Sequence, residues 1–166
     1  ELKGSIPREL RALIGNRVFG CDVCQAVCPF NASKGAEGCA PELEIRPELE
    51  ELSLLSLFEL TSSGYRRLVR DSALRRVSRT QLARNAAVGL GNSGQAEVVP
   101  ALVRALERDP RALVREHVAW ALGRLGGPEA HAALERACHD PDAAVAREAE
   151  LSLSELDALT PSAPGA

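Results

Sequence analysis

Methionine is absent from all 166 residues, and the aromatic residues are limited to three phenylalanines, one tyrosine and one tryptophan. The opening run 1-ELKGSIP-7 is typical of the end of one element entering a turn. We therefore expect the chain to begin inside a longer protein. The abundance of Ala, Leu, Arg and Glu beside so few aromatics favours helix.

Long apolar runs are also missing: none approaches the roughly 20 residues that are needed to span a bilayer. The first residues do not have the pattern of a signal peptide. In a leaderless chain, clustered cysteines indicate the reducing cytoplasm, where they bind metal or carry out redox chemistry. We expect a cytoplasmic monomer without membrane contact.

Acidic residues are scarce in one region of the chain. Residues 61–90 contain seven arginines and a single acid, Asp71, so this region is strongly basic within a chain whose net charge is −3. What we call the arginine segment spans residues 66–84 and is followed directly by Asn85. Its arginines are Arg66, Arg67, Arg70, Arg75, Arg76, Arg79 and Arg84. Such a local excess predicts a surface that faces a polyanion. The alternative is a solvated helix face, but a solubilising face would normally mix both signs.

The chain divides into four parts by composition. Residues 1–40 are rich in glycine and cysteine, with one short helix predicted over 7-PRELRALIG-15, and residues 41–60 form a linker and a leading helix. Residues 61–156 have a helical pattern throughout, and we expect the polar residues 157–166 to be a disordered tail.

The helical part repeats with a period of 31 to 32 residues. The runs 82-LARNAAVGLGNSG-94, 114-VREHVAWALGRLG-126 and 145-VAREAELSLSEL-156 align, and the dipeptide Asp109-Pro110 recurs as Asp140-Pro141. Second helices are predicted over 97–109 and 128–140. This period predicts a short HEAT-like α-solenoid, in which small residues such as Gly91 and Gly123 let the helices approach closely.

The cysteine motif Cys21-x2-Cys24-x3-Cys28-Pro29 is a shortened version of the ferredoxin run C-x2-C-x2-C-x3-C-P, in which the cysteine before proline ligates the other of two clusters. We therefore expect Cys21 and Cys24 to ligate one [4Fe–4S] cluster and Cys28 a second, with the remaining ligands upstream. The alternative is a zinc site with Cys39 as its fourth ligand, although zinc sites usually contain two C-x2-C pairs. Cys138 fits a buried position in a repeat helix. The roles of Cys39 and His117 stay open.

Four runs together resemble the C-terminal half of the epoxyqueuosine reductase family, and they span nearly the whole chain. They are 2-LKGSIP-7, 15-GNRVFGCDVCQAVCPFN-31, 84-RNAAVGLGNSG-94 and 115-REHVAWALGRLG-126. The pairing of a cysteine loop with the RNAA…LGNSG run is specific, because generic ferredoxins and generic HEAT proteins each have only one of them.

The resemblance implies a mainly α protein, with part of a ferredoxin-like 4Fe-4S module followed by HEAT-like repeats. It implies a cytosolic oxidoreductase of queuosine synthesis that reduces epoxyqueuosine at the tRNA wobble position, using cobalamin and two [4Fe–4S] clusters fed by an external electron donor. Arg84, Asn85 and the arginines from Arg66 to Arg79 would then hold the tRNA anticodon stem-loop. Lys3 is a weaker candidate for the cofactor and substrate region. No catalytic residue is expected in this part, and the chain alone should be inactive.

Two other functions are compatible with the same residues. One is a HEAT-repeat scaffold that binds a protein partner and is stapled by zinc at its N-terminal loop. The other is a ferredoxin-linked reductase of a small molecule, in which the arginines only keep the protein soluble. The bound metal separates the scaffold from the oxidoreductase, and RNA binding separates the two reductases.

Overall fold

The computed structural model describes residues 2–32, 47–50 and 52–159, and within these ranges the regular structure is helical, with no strand. None of the helices in these ranges is long and apolar enough to cross a membrane. The mainly α fold that the sequence predicts is confirmed.

The described residues 2–32 contain three short helices: α1 (Arg8–Ile14), α2 (Val23–Ala26) and α3 (Pro29–Ala32). Pro7 stands directly before α1, and Gly15, at a left-handed φ of 64°, ends it. Both residue types suit these positions, because proline is favoured at the start of a helix and glycine adopts positive φ without strain.

A connecting region follows, with α4 (Pro47–Glu50), α5 (Leu54–Phe58), α6 (Ser62–Leu68) and a 3₁₀ turn (Ala73–Arg76). The Ser53 hydroxyl accepts the N–H of Ser56 and begins α5, and the Thr61 hydroxyl accepts the N–H of Gly64 and begins α6. A small core of Leu68, Val77 and Leu82 holds this region, and the Tyr65 hydroxyl donates to the carbonyl of Val77 at 2.7 Å.

The solenoid comprises α7 (Arg79–Ser93), a 3₁₀ turn (Ala96–Val98), α8 (Val99–Arg108), α9 (Ala112–Leu125), α10 (Pro128–Ala137) and α11 (Ala143–Leu159). Helices α7, α9 and α11 pack side by side in one layer, while α8 and α10 pack together in a second layer. The helix pairs lie where the repeat predicts them. The last helix continues to Leu159, past the start of the predicted tail at residue 157.

The recurring Asp-Pro dipeptide builds the same turn in both repeats. The carboxylate of Asp109 accepts the N–H of Arg111, and that of Asp140 accepts the N–H of Asp142, each at 2.9 Å. Short polar side chains that bond the backbone two residues on are typical of turns. The period in the sequence therefore reflects a repeated turn as well as a repeated apolar face.

Glycines set the spacing within the α7, α9 and α11 layer. A Cβ added to Gly91 would lie 2.8 Å from the Cα of Ala121, and one added to Gly123 would lie 2.6 Å from the Cβ of Ser152. Because the nearest atom to Gly91 is backbone, a larger residue there could be accommodated only if α7 and α9 moved apart.

Replacing Gly91 by alanine (G91A) is expected to lower the free energy of unfolding by about 1–3 kcal/mol, as overpacking does, despite the gain of up to about 1 kcal/mol in helix propensity. Chemical denaturation of the chain measures this change. Gly4→Ala is the control, because nothing lies within 4 Å of a Cβ added there. If G91A were as stable as the parent chain, close backbone approach would not determine the packing of this layer.

Candidate cluster loop and nucleic-acid interface

The cysteine loop runs from Gly20 to Asn31 around the one-turn helix α2. Gly20 and Asp22 both have positive φ, 60° and 48°, which turns the chain sharply on either side of Cys21. The side-chain amide of Asn31 closes the loop by donating to the backbone carbonyl and to the Oε1 of Gln25, at 3.0 and 2.9 Å. Cys21 and Cys24 are exposed and Cys28 is half-buried, so at least two thiols are open to a ligand.

The donor set consists of thiols alone, which fits an iron–sulfur cluster better than a hard cation. In the described ranges, no group of three or more Cys, His, Asp or Glu side chains converges on one point. The three cysteines therefore do not complete a metal site with one another or with another described residue. Cys39 lies outside the described residues. Cys138 is far along the chain in the solenoid, where its thiol lies 3.3 Å from the carbonyl of Leu134 and burial raises its pKa.

Helix α1, which precedes the loop, is anchored to the solenoid by what we call the docking cluster: Ser5, Arg8, Arg11, Glu116, Glu148 and Glu155. Arg11 is only 2 % exposed. Its Nη2 donates to Glu116 at 2.7 Å, and its Nη1 lies 3.0 Å from Glu148. Its Nε donates to the carbonyl of Ile6, and its guanidinium lies 5.9 Å from the centre of the Trp120 ring. One buried arginine on α1 thus bridges α9 and α11.

Arg8 extends this cluster to the surface. Its Nε donates to Glu148 at 2.9 Å, and its two terminal nitrogens donate to the two oxygens of Glu155 at 2.5 and 2.8 Å. This paired geometry is the strongest that an arginine offers to a carboxylate. Sequence reasoning did not single out Arg8, Arg11, Glu116 or Glu148, because charged residues in an amphipathic pattern normally face solvent.

His117 belongs to the same interface and is fully buried. Its Nδ1 lies 2.8 Å from the carbonyl of Leu113, and its Nε2 accepts the N–H of Ile6 at 3.1 Å. The neutral ring with a proton on Nδ1 satisfies both contacts. The pKa of His117 falls to about 3 because burial penalises the cation and the nearby guanidinium of Arg11 repels it. The ring therefore holds the segment before α1 against α9.

The side chains of Arg84 and Asn85 are bound within the protein. Nη1 of Arg84 donates to the carbonyls of Leu2 and Gly4, and its other nitrogens donate to Oδ1 of Asn85 at 2.8 and 3.0 Å. The amide nitrogen of Asn85 donates to the carbonyl of Val18 at 2.7 Å. Arg84 is buried, which lowers its pKa. The contacts of Arg84 and Asn85 thus hold the N-terminal residues and the segment that leads into the cysteine loop.

The other residues of the arginine segment are more accessible. Five are exposed on α6, on the 3₁₀ turn and on the residues between them: Arg66, Arg67, Arg70, Arg75 and Arg76. Arg79 is half-buried and donates to the carbonyl of Leu60 at 3.0 Å. Lys3 is exposed on the segment that Arg84 holds.

A cavity of about 460 Å³ lies between the cysteine loop and the arginine segment. Gly20, the first residue of the loop, and Phe19 before it line one side, and Arg76, Gln81 and Arg84 line the other. We call it the shared cavity. The cavity therefore separates the backbone next to Cys21 from the side chain of Arg76.

Two family models match the chain. Residues 67–154 match HEAT repeats, and residues 1–31 match a 4Fe-4S double cluster binding domain. The solenoid and the iron–sulfur character of the cysteine loop, both predicted from the sequence, are thereby confirmed.

Curated relatives agree with the resemblance. Epoxyqueuosine reductase of Burkholderia pseudomallei is 47% identical over 73% of this chain and 32% of its own length. The Escherichia coli enzyme of that name is 37% identical over 73% of this chain and 31% of its own length. The chain thus spans about a third of the length of these relatives.

This chain is also similar to solved structures of epoxyqueuosine reductases. A crystal structure of epoxyqueuosine reductase with an epoxyqueuosine-modified tRNA-Tyr stem loop superposes with a TM-score of 0.82 at 31% identity, covering 94% of this chain and 42% of that one. An epoxyqueuosine reductase from Bacillus subtilis superposes with a TM-score of 0.81 at 32% identity, covering 93% and 42%.

The neutral state of His117 predicts a pH dependence of stability. Because its pKa is lowered to about 3 in the folded state from an ordinary 6.5, its contribution is complete above pH 6.5 and is lost as the pH falls towards 3. Between these values the free energy of unfolding should fall by about 1.4 kcal/mol per pH unit from this group. Urea denaturation at pH 7.5, 6 and 5 measures the effect.

The control for this prediction is His117→Gln, whose amide offers a donor and an acceptor but does not titrate. The parent should lose about 1 kcal/mol more than this variant between pH 6 and 5. Parallel stability curves for the two proteins would contradict the prediction.

Proposed function

This chain belongs to the family of HEAT-repeat proteins, and we propose that it is the C-terminal part of an epoxyqueuosine reductase. The whole enzyme would reduce epoxyqueuosine to queuosine at the wobble position of tRNA. This part would supply iron–sulfur ligands and a surface for the anticodon stem-loop. The observation that carries the proposal is the shared cavity, where Gly20 beside Cys21 and the cationic Arg76 face the same space.

The cysteine loop would hold parts of two [4Fe–4S] clusters, with Cys21 and Cys24 on one and Cys28 on the other. The exposure of Cys21 and Cys24 supports this role, because their thiols are open to ligands that other parts of the protein help to bind. Such clusters pass single electrons from an external donor, and cobalamin held by another domain would supply the carbon–oxygen chemistry. The residues of this chain position the loop and exclude water from its base.

Exposed apolar side chains support the view that the N-terminal part packs against further structure. Six of the seven large hydrophobic residues that are exposed in the described ranges lie between residues 2 and 30, with Phe30 84 % and Leu13 75 % exposed. Such a concentration is typical of an interface. A domain that covers this face would also lie next to the cysteine loop.

The arginine segment would bind the RNA backbone. Its exposed guanidinium groups can pair with phosphates and stack on bases, and the loops of RNA present both. Phosphate contacts provide affinity without sequence choice, so the modified base would be recognised elsewhere in the enzyme. A role in tRNA modification supports a cytoplasmic location, and we propose a monomer. The comparisons give no support to the zinc-stapled scaffold.

The ligand roles of the cysteines predict the metal content of the protein expressed from the complete reading frame. That frame should encode a C-x2-C-x2-C-x3-C-P run upstream of Glu1, and the protein should contain iron and acid-labile sulfide. Cys21→Ser or Cys24→Ser should remove about half of the iron, since each would break one of two clusters.

Cys138→Ser is the matched control and should retain the iron of the parent protein, because its thiol lies within the solenoid. Iron and sulfide assays with visible absorption spectra measure these contents. Zinc in place of iron would overturn the proposal and favour the scaffold.

The RNA role of the arginine segment predicts a change in salt dependence. Arg75→Glu combined with Arg76→Glu should weaken binding of tRNA-Tyr and reduce the slope of log Kd against log salt by about 1 to 2, because fewer counterions are released. Fluorescence anisotropy at several salt concentrations measures both quantities. The control is Arg124→Glu with Arg147→Glu, which changes the net charge equally at two exposed positions of the solenoid. Equal losses in both variants would show that only overall charge matters.

A further inference from the structure

The backbone that leads up to the first cysteine of the loop is held by few contacts. Val18 and Phe19 are half-buried and pack against the small core of the connecting region, while Gly20 and Cys21 are exposed. In the part of the chain that the structure describes, one hydrogen bond reaches these four residues, and it runs from the amide nitrogen of Asn85 to the carbonyl of Val18 at 2.7 Å. Apolar packing does not fix where a carbonyl points, so the direction of the backbone before Cys21 depends on Asn85.

The amide of Asn85 is itself oriented by Arg84. Its oxygen accepts two N–H groups of the Arg84 guanidinium, at 3.0 and 2.8 Å, which leaves its nitrogen to face Val18. Bonds from a charged donor are stronger than neutral ones. The guanidinium is buried and also donates to the carbonyls of Leu2 and Gly4. This network determines which end of the Asn85 amide meets the loop.

Helix α7 gives this bond a firm base, because most of its residues from Leu82 to Gly91 are buried and it packs against α5 and α9. The helix carries a second half-buried asparagine two turns further on, Asn92, on the same face. The amide of Asn92 donates to the carbonyls of Arg11 and Gly15, both at 2.9 Å. Asn92 thus holds the end of α1, whereas Asn85 holds the entry to the cysteine loop.

We propose that Asn85 is a positioning residue for the iron–sulfur cluster that Cys21 and Cys24 would ligate. Asn85 does not bind this cluster. It acts through the backbone from Val18 to Cys21, and its bond limits how far water reaches the cluster. The inference rests on the proposed function, because it requires that the thiols of the loop ligate a cluster.

The fixed backbone has a consequence for the reduction potential of the cluster. An electron from the external donor makes a thiolate-ligated cluster more negative, and water stabilises the more highly charged state. Greater access of water to the cluster therefore raises its potential. A purely structural role of Asn85 predicts a lower free energy of unfolding, but it does not predict a change confined to one of two clusters.

The test compares Asn85→Ala with Asn92→Ala in the protein expressed from the complete reading frame. Each change removes a half-buried amide from the same face of α7, but only the first frees the carbonyl of Val18. Redox titration followed by electron paramagnetic resonance measures the potentials of both clusters, and Cys21→Ser identifies the one concerned.

In Asn85→Ala, the ratio of reduced to oxidised cluster at a fixed potential should rise about tenfold for the cluster of Cys21, which is a shift of about 59 mV for a one-electron couple. The other cluster should keep its potential, and Asn92→Ala should leave both near the parent values. Asn85→Ser is the second variant, used if circular dichroism shows that the alanine variant has lost its helices. Its hydroxyl can accept from Arg84 but is one bond too short to reach Val18, so the same shift is expected.

The outcomes separate this inference from the proposed function. If the Asn85 variants keep both parent potentials, Asn85 does not position the cluster and the proposed function stands. If Asn92→Ala shifts the same potential equally, general loosening of the N-terminal residues explains the shift and the inference is wrong. Loss of iron from this cluster in the Asn85 variants alone would support the inference, because the cluster would then need the bond to assemble. A parent protein without iron and sulfide would overturn both proposals.

Discussion

The burial of Arg11 between Glu116 and Glu148 is the interaction on which the arrangement of this chain depends. A guanidinium group that is 2 % exposed tolerates its loss of water only because carboxylates, a carbonyl and the Trp120 ring surround it. Removing one member of such a cluster typically costs about 3–5 kcal/mol, because the others stay buried without a partner. The cluster thereby fixes α1, and with it the start of the cysteine loop, against α9 and α11.

The solenoid provides the rigid frame for this anchoring. Glu116 is on α9 and Glu148 on α11, so Arg11 can reach both only if these helices lie close together. Gly123 allows this approach, since a Cβ there would lie 2.6 Å from Ser152 on α11. His117 and Arg84 fix the preceding residues by bonding the backbone at Ile6, Leu2 and Gly4. These polar contacts constrain the chain more strongly than the same contacts at a surface would, because the side chains that make them are buried.

This anchoring brings two chemical surfaces together. The cysteine loop would be an exposed strand of thiols without its fixed base, and the arginine segment would be a cationic patch on α6 and the 3₁₀ turn. In this arrangement both surfaces border the shared cavity. The HEAT repeats thus hold the base of the cysteine loop beside the exposed Arg76.

The sequence by itself determined the repeat, its turns and the thiol donors, because these depend on local spacing. A 31- to 32-residue period, glycines at helix ends and a ferredoxin-like cysteine run can each be recognised along the chain. Only the tertiary structure decided which charged residues are buried. Arg84 and Asn85 donate to backbone carbonyls within the protein, and Arg11 and His117 are buried although the sequence gave no sign of it. The physical reason is that the environment of a charged side chain depends on what packs over its helix, and residues more than 100 positions apart make those contacts.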